Sequence, residues 1–238
     1  GNLDVVTVAG LALGTTNVGG ALTLTTGGDI TQLTPDSALT VTGTTTLTAQ
    51  AGATDFDITL ANVDANGVAL NDFIGAINIV AAKDVNIRDM DVTTITMVAS
   101  GDATIFAEDK LFLGKTQVDG DMLATGNFTL IGDIKADHID WVSTSFVDMA
   151  GFTATATAAG AAGYINIHAQ GDVKLGRLET DEGDISITSV NGNIYDDSAS
   201  NEIDIVTKGV LNLSAGTGSV QNLRLWATEP GVSPADAG

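Results

Sequence analysis

The chain has 238 residues, with 30 acidic side chains against 9 basic ones and a formal net charge of −21. That balance argues against nucleic acid and against docking on an anionic membrane, because both carry the same sign. Cysteine is absent, which removes disulfides, thiolate metal sites and cysteine nucleophiles, and no apolar run approaches the 18 residues of a spanning helix.

From residue 1 to 60 threonine alternates with aliphatic residues: Ala21-Leu22-Thr23-Leu24-Thr25, Ala38-Leu39-Thr40-Val41-Thr42 and Thr45-Thr46-Leu47-Thr48-Ala49. A period of two is that of a strand, with one face buried and one wet. Gly19-Gly20, Gly27-Gly28 and Pro35-Asp36 are the punctuation. A short phrase, a turn residue followed by alternating residues, recurs at Gly28-Asp29-Ile30-Thr31, Gly75-Ala76-Ile77-Asn78, Gly101-Asp102-Ala103-Thr104, Gly163-Tyr164-Ile165-Asn166 and Gly183-Asp184-Ile185-Ser186. Such recurrence is the signature of stacked coils.

Between 75 and 126 two units align without gaps at 26 residues, which pairs Gly75 with Gly101, Ile79 with Ile105 and Val85 with Leu111. Residues 127–162 are less regular and hold the bulky cluster His138-Ile139-Asp140-Trp141-Val142 with Phe146, so an excursion from the rod is expected there. The register resumes at Gly163. Ile165, Ile185 and Ile203 are expected in one buried column, and Val173, Ile194 and Val210 in a second. Residues 227–238, with Pro230 and Pro234, read as a tail or linker after a repeat domain spanning 1–226. No segment sustains helical periodicity. The expected fold is therefore all-β: a right-handed parallel β-helix of about ten coils, the hand following that of parallel crossovers.

The stretches Gly28-Asp29-Ile30-Thr31-Gln32, Ala38 to Ala49, and Asp57-Ile58-Thr59-Leu60 through Ile79 resemble repeats of filamentous-haemagglutinin-like exoproteins. These are very large bacterial surface or secreted adhesins, many exported by two-partner secretion. The resemblance implies a β-helical rod at the bacterial cell surface or in the extracellular space. It covers residues 19–126 best and 163–225 more loosely. The family's amino-terminal secretion signature is not recognisable, and the chain opens directly in strand-like sequence at Leu3, as expected of a processed chain or a piece of a longer one.

Few residues mark chemistry. The i, i+2 pairs Asp55/Asp57 and Asp89/Asp91 would share a face of an extended strand, as paired carboxylates of a glycosidase must. A polysaccharide lyase of this fold would want basic residues near bound Ca²⁺; Lys174 and Arg177 lie close to Asp172 and Glu179, but nothing marks them out. Acidic residues are scattered throughout, however, so the chain is read as non-enzymatic, with no catalytic residue assigned. Asp196, Asp197, Glu202 and Asp204 are weak Ca²⁺ candidates, as is the group Glu179, Asp181, Glu182 and Asp184; solvated turns account for both, and no cofactor is otherwise expected. His138 and His168 lack a third strong ligand for zinc. Trp141, Trp226, Tyr164 and Tyr195 are either core or capping aromatics or platforms for sugars.

The resulting functional expectation is a structural and adhesive segment: a stiff rod that attaches a cell to a protein or glycan on another surface. The alternative is a subunit of a self-assembling extracellular fibre or surface layer, and a β-helical polysaccharide-processing enzyme is a third reading. Self-association is expected end to end, through the open first coil.

Overall fold

In a computed structural model, residues 1–158, 162–196 and 203–227 are described. Among them there is no helix, and hence none long and apolar enough to cross a membrane. Short strands stack in parallel, each pairing with the equivalent strand of the coils before and after it, in one 25-stranded sheet and a second sheet of three strands. The chain is a β-solenoid. One column of pairs counts its rungs: Leu11 pairs with Ile30, Ile30 with Ile58, Ile58 with Val85 and Val85 with Ala103. The column continues from Ala103 to Met122, Ile139, Ile165, Ile185 and Leu211. Ten rungs at about 4.8 Å give a rod of roughly 50 Å.

The alternation in sequence explains the core. In Leu22–Thr26 and Thr45–Ala51 the leucines are buried and the intervening threonines half-exposed. Successive inward residues then pile into apolar ladders, such as Leu60, Ile87, Ile105, Ala124, Trp141, Ile167 and Ile187. Trp141 lies inside the rod, stacked on Phe128 with ring centroids 5.9 Å apart.

Rung length varies from 17 to 28 residues along that column, and the variation corrects several expectations. The 26-residue phase across 75–126 is wrong: Ile79 pairs with Met97 and Val85 with Ala103, a step of 18. The same offset would stack Met97 on Leu123, but Met97 is buried and Leu123 is exposed. A sequence of near-uniform alternation matches itself at several offsets, and the ungapped match selected a false one. In the C-terminal columns Ile165 and Ile185 stack as expected, but the next member is Leu211, while Ile203 lies outside that column and Ile205 packs between Leu178 and Leu225. Val173 and Ile194 are followed by Val220, not by the exposed Val210.

Residues 127–158 do not leave the rod. Phe128, Leu130, Ile134, Ile139, Trp141 and Val147 are all buried and laddered in register. One of their turns, Gly132-Asp133, carries the glycine-aspartate phrase, and Asp133 Oδ1 accepts the Thr153 N–H (2.9 Å); the other turns lack the phrase, which hid a normal alternation. The chain departs from the ladder instead at 61–71, between Ile58–Leu60 and Asp72–Phe73. There Asp64 Oδ1 accepts the backbone N–H groups of Asn66 (2.8 Å) and Val68 (2.9 Å), and Gly67 turns the chain at φ +83°. The backbone N–H of Val68, foremost, holds the Asp64 carboxyl below the usual range.

A second, smaller departure is the antiparallel hairpin at Gln50–Asp55. Of the expected tail at 227–238, Ala227 still pairs with Thr207, while residues 228–238 lie outside the described residues, as does the side chain of Trp226, whose backbone pairs with Val206.

Candidate functional site

Three side-chain arrangements concentrate polar groups on the rod: the turn aspartates, the buried carboxylates, and a lateral groove.

The aspartate of the recurring phrase is not merely a solvated turn residue. Asp29 Oδ1 accepts the backbone N–H of Asp57 (3.1 Å), Asp57 that of Asp84 (3.3 Å), Asp84 that of Asp102 (3.0 Å), and Asp102 that of Asp121 (2.9 Å). Asp172 and Asp184 do the same for Asn193 and Val210, both at 2.7 Å. Each carboxylate therefore clips one rung to the next. Lys83 lies 2.7 Å from Asp84 and 3.6 Å from Asp57, offsetting repulsion in the row. Its hydrogen bond, with the N–H of Asp102, holds Asp84 below the carboxylate range. The row ends at His138, whose Nδ1 is 2.5 Å from Asp121 Oδ1 and whose ring lies against Tyr164. The Tyr164 hydroxyl donates to Asp140 (2.9 Å), and that bond chiefly pushes the phenol up to about 12. His168 faces solvent.

The carboxylate pairs proposed for hydrolysis do not form. Asp89 points into the rod and is fully buried, while Asp91 is exposed, because the chain turns at Met90. Asp55 is bound by Gln50 Nε2 (2.7 Å) in the hairpin, and Asp57 belongs to the clip row. Asp89 instead closes the three-stranded sheet of Thr16–Val18, Leu39–Val41 and Asp72–Phe73. Its Oδ1 accepts the Phe73 N–H (2.9 Å), which has no fourth strand to bond, and its Oδ2 is buried without a partner. Burial, with lesser contributions from Asp72 and Asp91, pushes this carboxyl up to about 7. Beside it the buried Asn71 bonds Gln32 Nε2 (2.8 Å), the Leu60 carbonyl (2.8 Å) and the Leu39 N–H (3.2 Å).

Of the Ca²⁺ candidates, Asp196 and Asp204 come together, 3% and 5% exposed. The Arg224 N–H bonds Asp204 Oδ2 (2.6 Å), and its guanidinium is 4.0 Å from Asp196. Burial, then the neighbouring Asp196, raises Asp204 above the usual carboxylate range. Asp197 and Glu202 lie outside the described residues. In the other group Glu179 bonds Arg177 and Asp181 bonds Lys208. Among the described residues no three acidic or imidazole groups converge as a metal site.

The third arrangement is a groove of about 440 Å³ on the flank of the rod. Asp148, Lys174 and Tyr195 occupy one outward row, in register on three successive rungs. Ser145, Phe146 and Asp172 also line the groove. Lys174 Nζ is 3.7 Å from Asp148 Oδ1, which also accepts the Ala150 N–H (2.8 Å). Ala150 has a left-handed backbone, φ 47°, ahead of Gly151 at φ 80°, which costs an alanine roughly 1 kcal/mol. The sequence offers Tyr195 as a core or capping aromatic or as a platform for sugars, and the structure places it on this outward row. Asp148 and Phe146 were not visible as part of the groove, because their alignment with Tyr195 depends on rung lengths that alternation does not give.

Residues 1–80 match a family described as repeats of unknown function (DUF5649). No curated protein and no solved structure matches the chain. The first third of this solenoid is thus similar to a repeat family defined by its sequence, and that likeness carries architecture without an activity.

Proposed function

We propose that the chain is a non-catalytic structural and adhesive segment of a large bacterial surface or secreted protein, a rigid spacer that attaches a cell to a protein or glycan elsewhere. The observation that carries this reading is the ten-rung parallel ladder, with a filled apolar interior and polar, strongly acidic flanks. Such a body resists bending because every rung is bonded along its length to its neighbours, and its net charge repels like-charged surfaces. The resemblance to filamentous-haemagglutinin-like repeats over residues 19–126 supports display outside the cell.

The test is to label intact source cells with antibodies against the chain and to compare attachment before and after deletion of its gene. Labelling of intact cells with loss of attachment is the expected result. Labelling only after lysis, or unchanged attachment, would overturn the reading.

A further inference from the structure

We infer that Asn66–Gly67 is a self-modification site: spontaneous deamidation there unfastens the 61–71 loop, whereas the same dipeptide at Asn191–Gly192 is kept inert by the stack. The inference concerns the loop alone and stands whether or not the rod is displayed on a cell.

The chemistry needs only the chain and water. The Gly67 backbone nitrogen, having lost its proton to water or hydroxide, attacks Asn66 Cγ. The new N–C bond closes a succinimide ring. The bond from Cγ to Nδ2 breaks, and Nδ2 leaves as ammonia with a proton taken from water. Water then opens the imide at either carbonyl. One opening leaves an ordinary aspartyl linkage, the other a β-linked isoaspartyl linkage with an extra carbon in the main chain. Glycine after the asparagine offers the least steric obstruction to closure, because it carries no side chain.

The sequence contains this pair twice, and the structure gives the two copies opposite surroundings. Residues 65–68 are all exposed, and nothing lies within 4 Å of where a Gly67 Cβ would stand. The Gly67 N–H donates to the Asp64 carbonyl (3.0 Å), and Asn66 Nδ2 donates to Asp64 Oδ2 (3.2 Å). Both bonds lie at the surface, where water replaces them at little cost. Gly192, by contrast, is buried. Its N–H donates to Ser189 Oγ (3.0 Å), and that hydroxyl is itself fixed on the Gly171 carbonyl (2.8 Å). The Asn191 N–H donates to the Gln170 carbonyl (2.9 Å). A methyl group at Gly192 would collide with Gly171 and Asp172 of the preceding rung, and Gly218 of the next rung presses on the Gly192 carbonyl in the same way. Turning this peptide toward the Asn191 side chain requires the rungs to part.

Conversion undoes the fastenings of the loop. The amide that donates to Asp64 Oδ2 becomes a carboxylate, which repels it. A β-linked backbone displaces Gly67 and Val68, whose N–H groups bond the Asp64 carbonyl and Oδ1. The loop is also tied to the rod by Arg88 Nη1, which donates to the Gly67 carbonyl (3.4 Å), and by Glu108, which accepts the Ala69 N–H (3.3 Å). The ladders through Leu60 and Phe73 lie on either side of the loop, so the stack itself stays intact.

The experiment ages the 238-residue chain in warm, mildly alkaline buffer, folded and in guanidinium chloride. Both dipeptides are followed by chymotryptic peptide mass mapping, with isoaspartate detected by enzymatic methylation. In the folded chain Asn66 should convert within about tenfold of its rate in the unfolded chain, and Asn191 at least about a hundredfold more slowly than its own unfolded rate. Amide shifts of the aged, folded chain should change only over 61–71 and at Arg88 and Glu108. Asp64→Ala removes an anchor of the loop and a charge that opposes loss of the Gly67 proton, so it should speed conversion at Asn66 about threefold or more and leave Asn191 unchanged. Equal protection of the two sites by folding, faster conversion at Asn191, or shifts spread along the rod would overturn the inference. The comparison within the wild-type chain decides the matter even if the variant fails to fold.

Discussion

The first third of the rod and its C-terminal half solve the same stacking problem with different interiors. Up to Asp89 the coil includes the separate three-stranded sheet, and its inner corner is polar: Gln32, Ser37, Asn71 and Asp89 replace aliphatic rungs there. From Met122 onward Ile139, Ile165 and Ile185 stack directly, and the buried polar residues are mostly hydroxyls, Ser143, Thr180, Ser189 and Thr207, with the carboxylates Asp196 and Asp204 near the end of the described rod. A polar corner needs every group satisfied, and Asn71 meets that requirement while Asp89 does not. The difference shows that a solenoid tolerates amides inside where they replace missing strand partners, and carries a penalty where a carboxylate does so.

The largest expected effect lies in the apolar half. Ile185→Asp places an unpaired charge between Ile165 and Leu211 and should cost about 4 kcal/mol or more, read as a fall in the denaturant midpoint. A fall no greater than that of Asp184→Asn would contradict the assigned faces.

Next comes Gly183→Ala. A Cβ there would lie 1.4 Å from the Gly163 carbonyl oxygen, so the rungs must separate, at about 3 kcal/mol. Gly52, in the N-terminal hairpin, has open space around it, and Gly52→Ala should cost about 1 kcal/mol, from its φ of +64° alone. Similar losses at the two positions would mean that glycine is needed for its backbone freedom rather than for close approach.

The polar corner is tested by pH. The folded-state carboxyl of Asp89 titrates near 7, above its unfolded value of 3.8. Between these values the native state holds a proton that the unfolded chain has released, so stability falls as pH rises through this window and levels off above it. Asp89→Asn abolishes this term. Between pH 4 and pH 8 the variant should gain roughly 2–3 kcal/mol relative to the parent, measured by urea denaturation at both pH values. A parallel pH dependence of the two proteins would place the Asp89 carboxyl in contact with solvent.

The smallest effect concerns the clips. Asp102→Asn keeps an acceptor for the Asp121 N–H and removes one charge from a crowded row, so stability should change by less than about 0.5 kcal/mol. Asp102→Ala leaves that N–H to water and should cost about 1 kcal/mol. Equal costs would show that the clip contributes nothing beyond charge.

Strand content, parallel stacking and the number of coils were legible because inward and outward residues alternate over most of the chain. Register was not. The alternation of Ile77, Ile79, Ile105 and Leu111 fits offsets of 18 and 26 equally well, and the choice depends on how many residues each corner uses. The same ambiguity hid the groove, whose residues 148, 174 and 195 are separated by unequal steps. Asp184 was legible as a turn residue, but its bond to the Val210 N–H was not, because it joins residues 26 apart through a side chain. Asp89 was misplaced for a related reason: an i, i+2 rule holds only while the strand continues, and the chain turns at Met90.

The clip row also separates two quantities that are usually proportional. Each carboxylate fixes the axial advance of one rung at a single corner, whatever the chain does around the rest of the perimeter. The detour at 61–71 adds residues without adding height, and the short steps around Ala103 save residues without losing any. Insertions between clips therefore change girth and surface relief, whereas only duplication or loss of a whole rung changes height. A lineage of such rods can vary its flanks freely while its end-to-end dimension moves only in increments of about 4.8 Å.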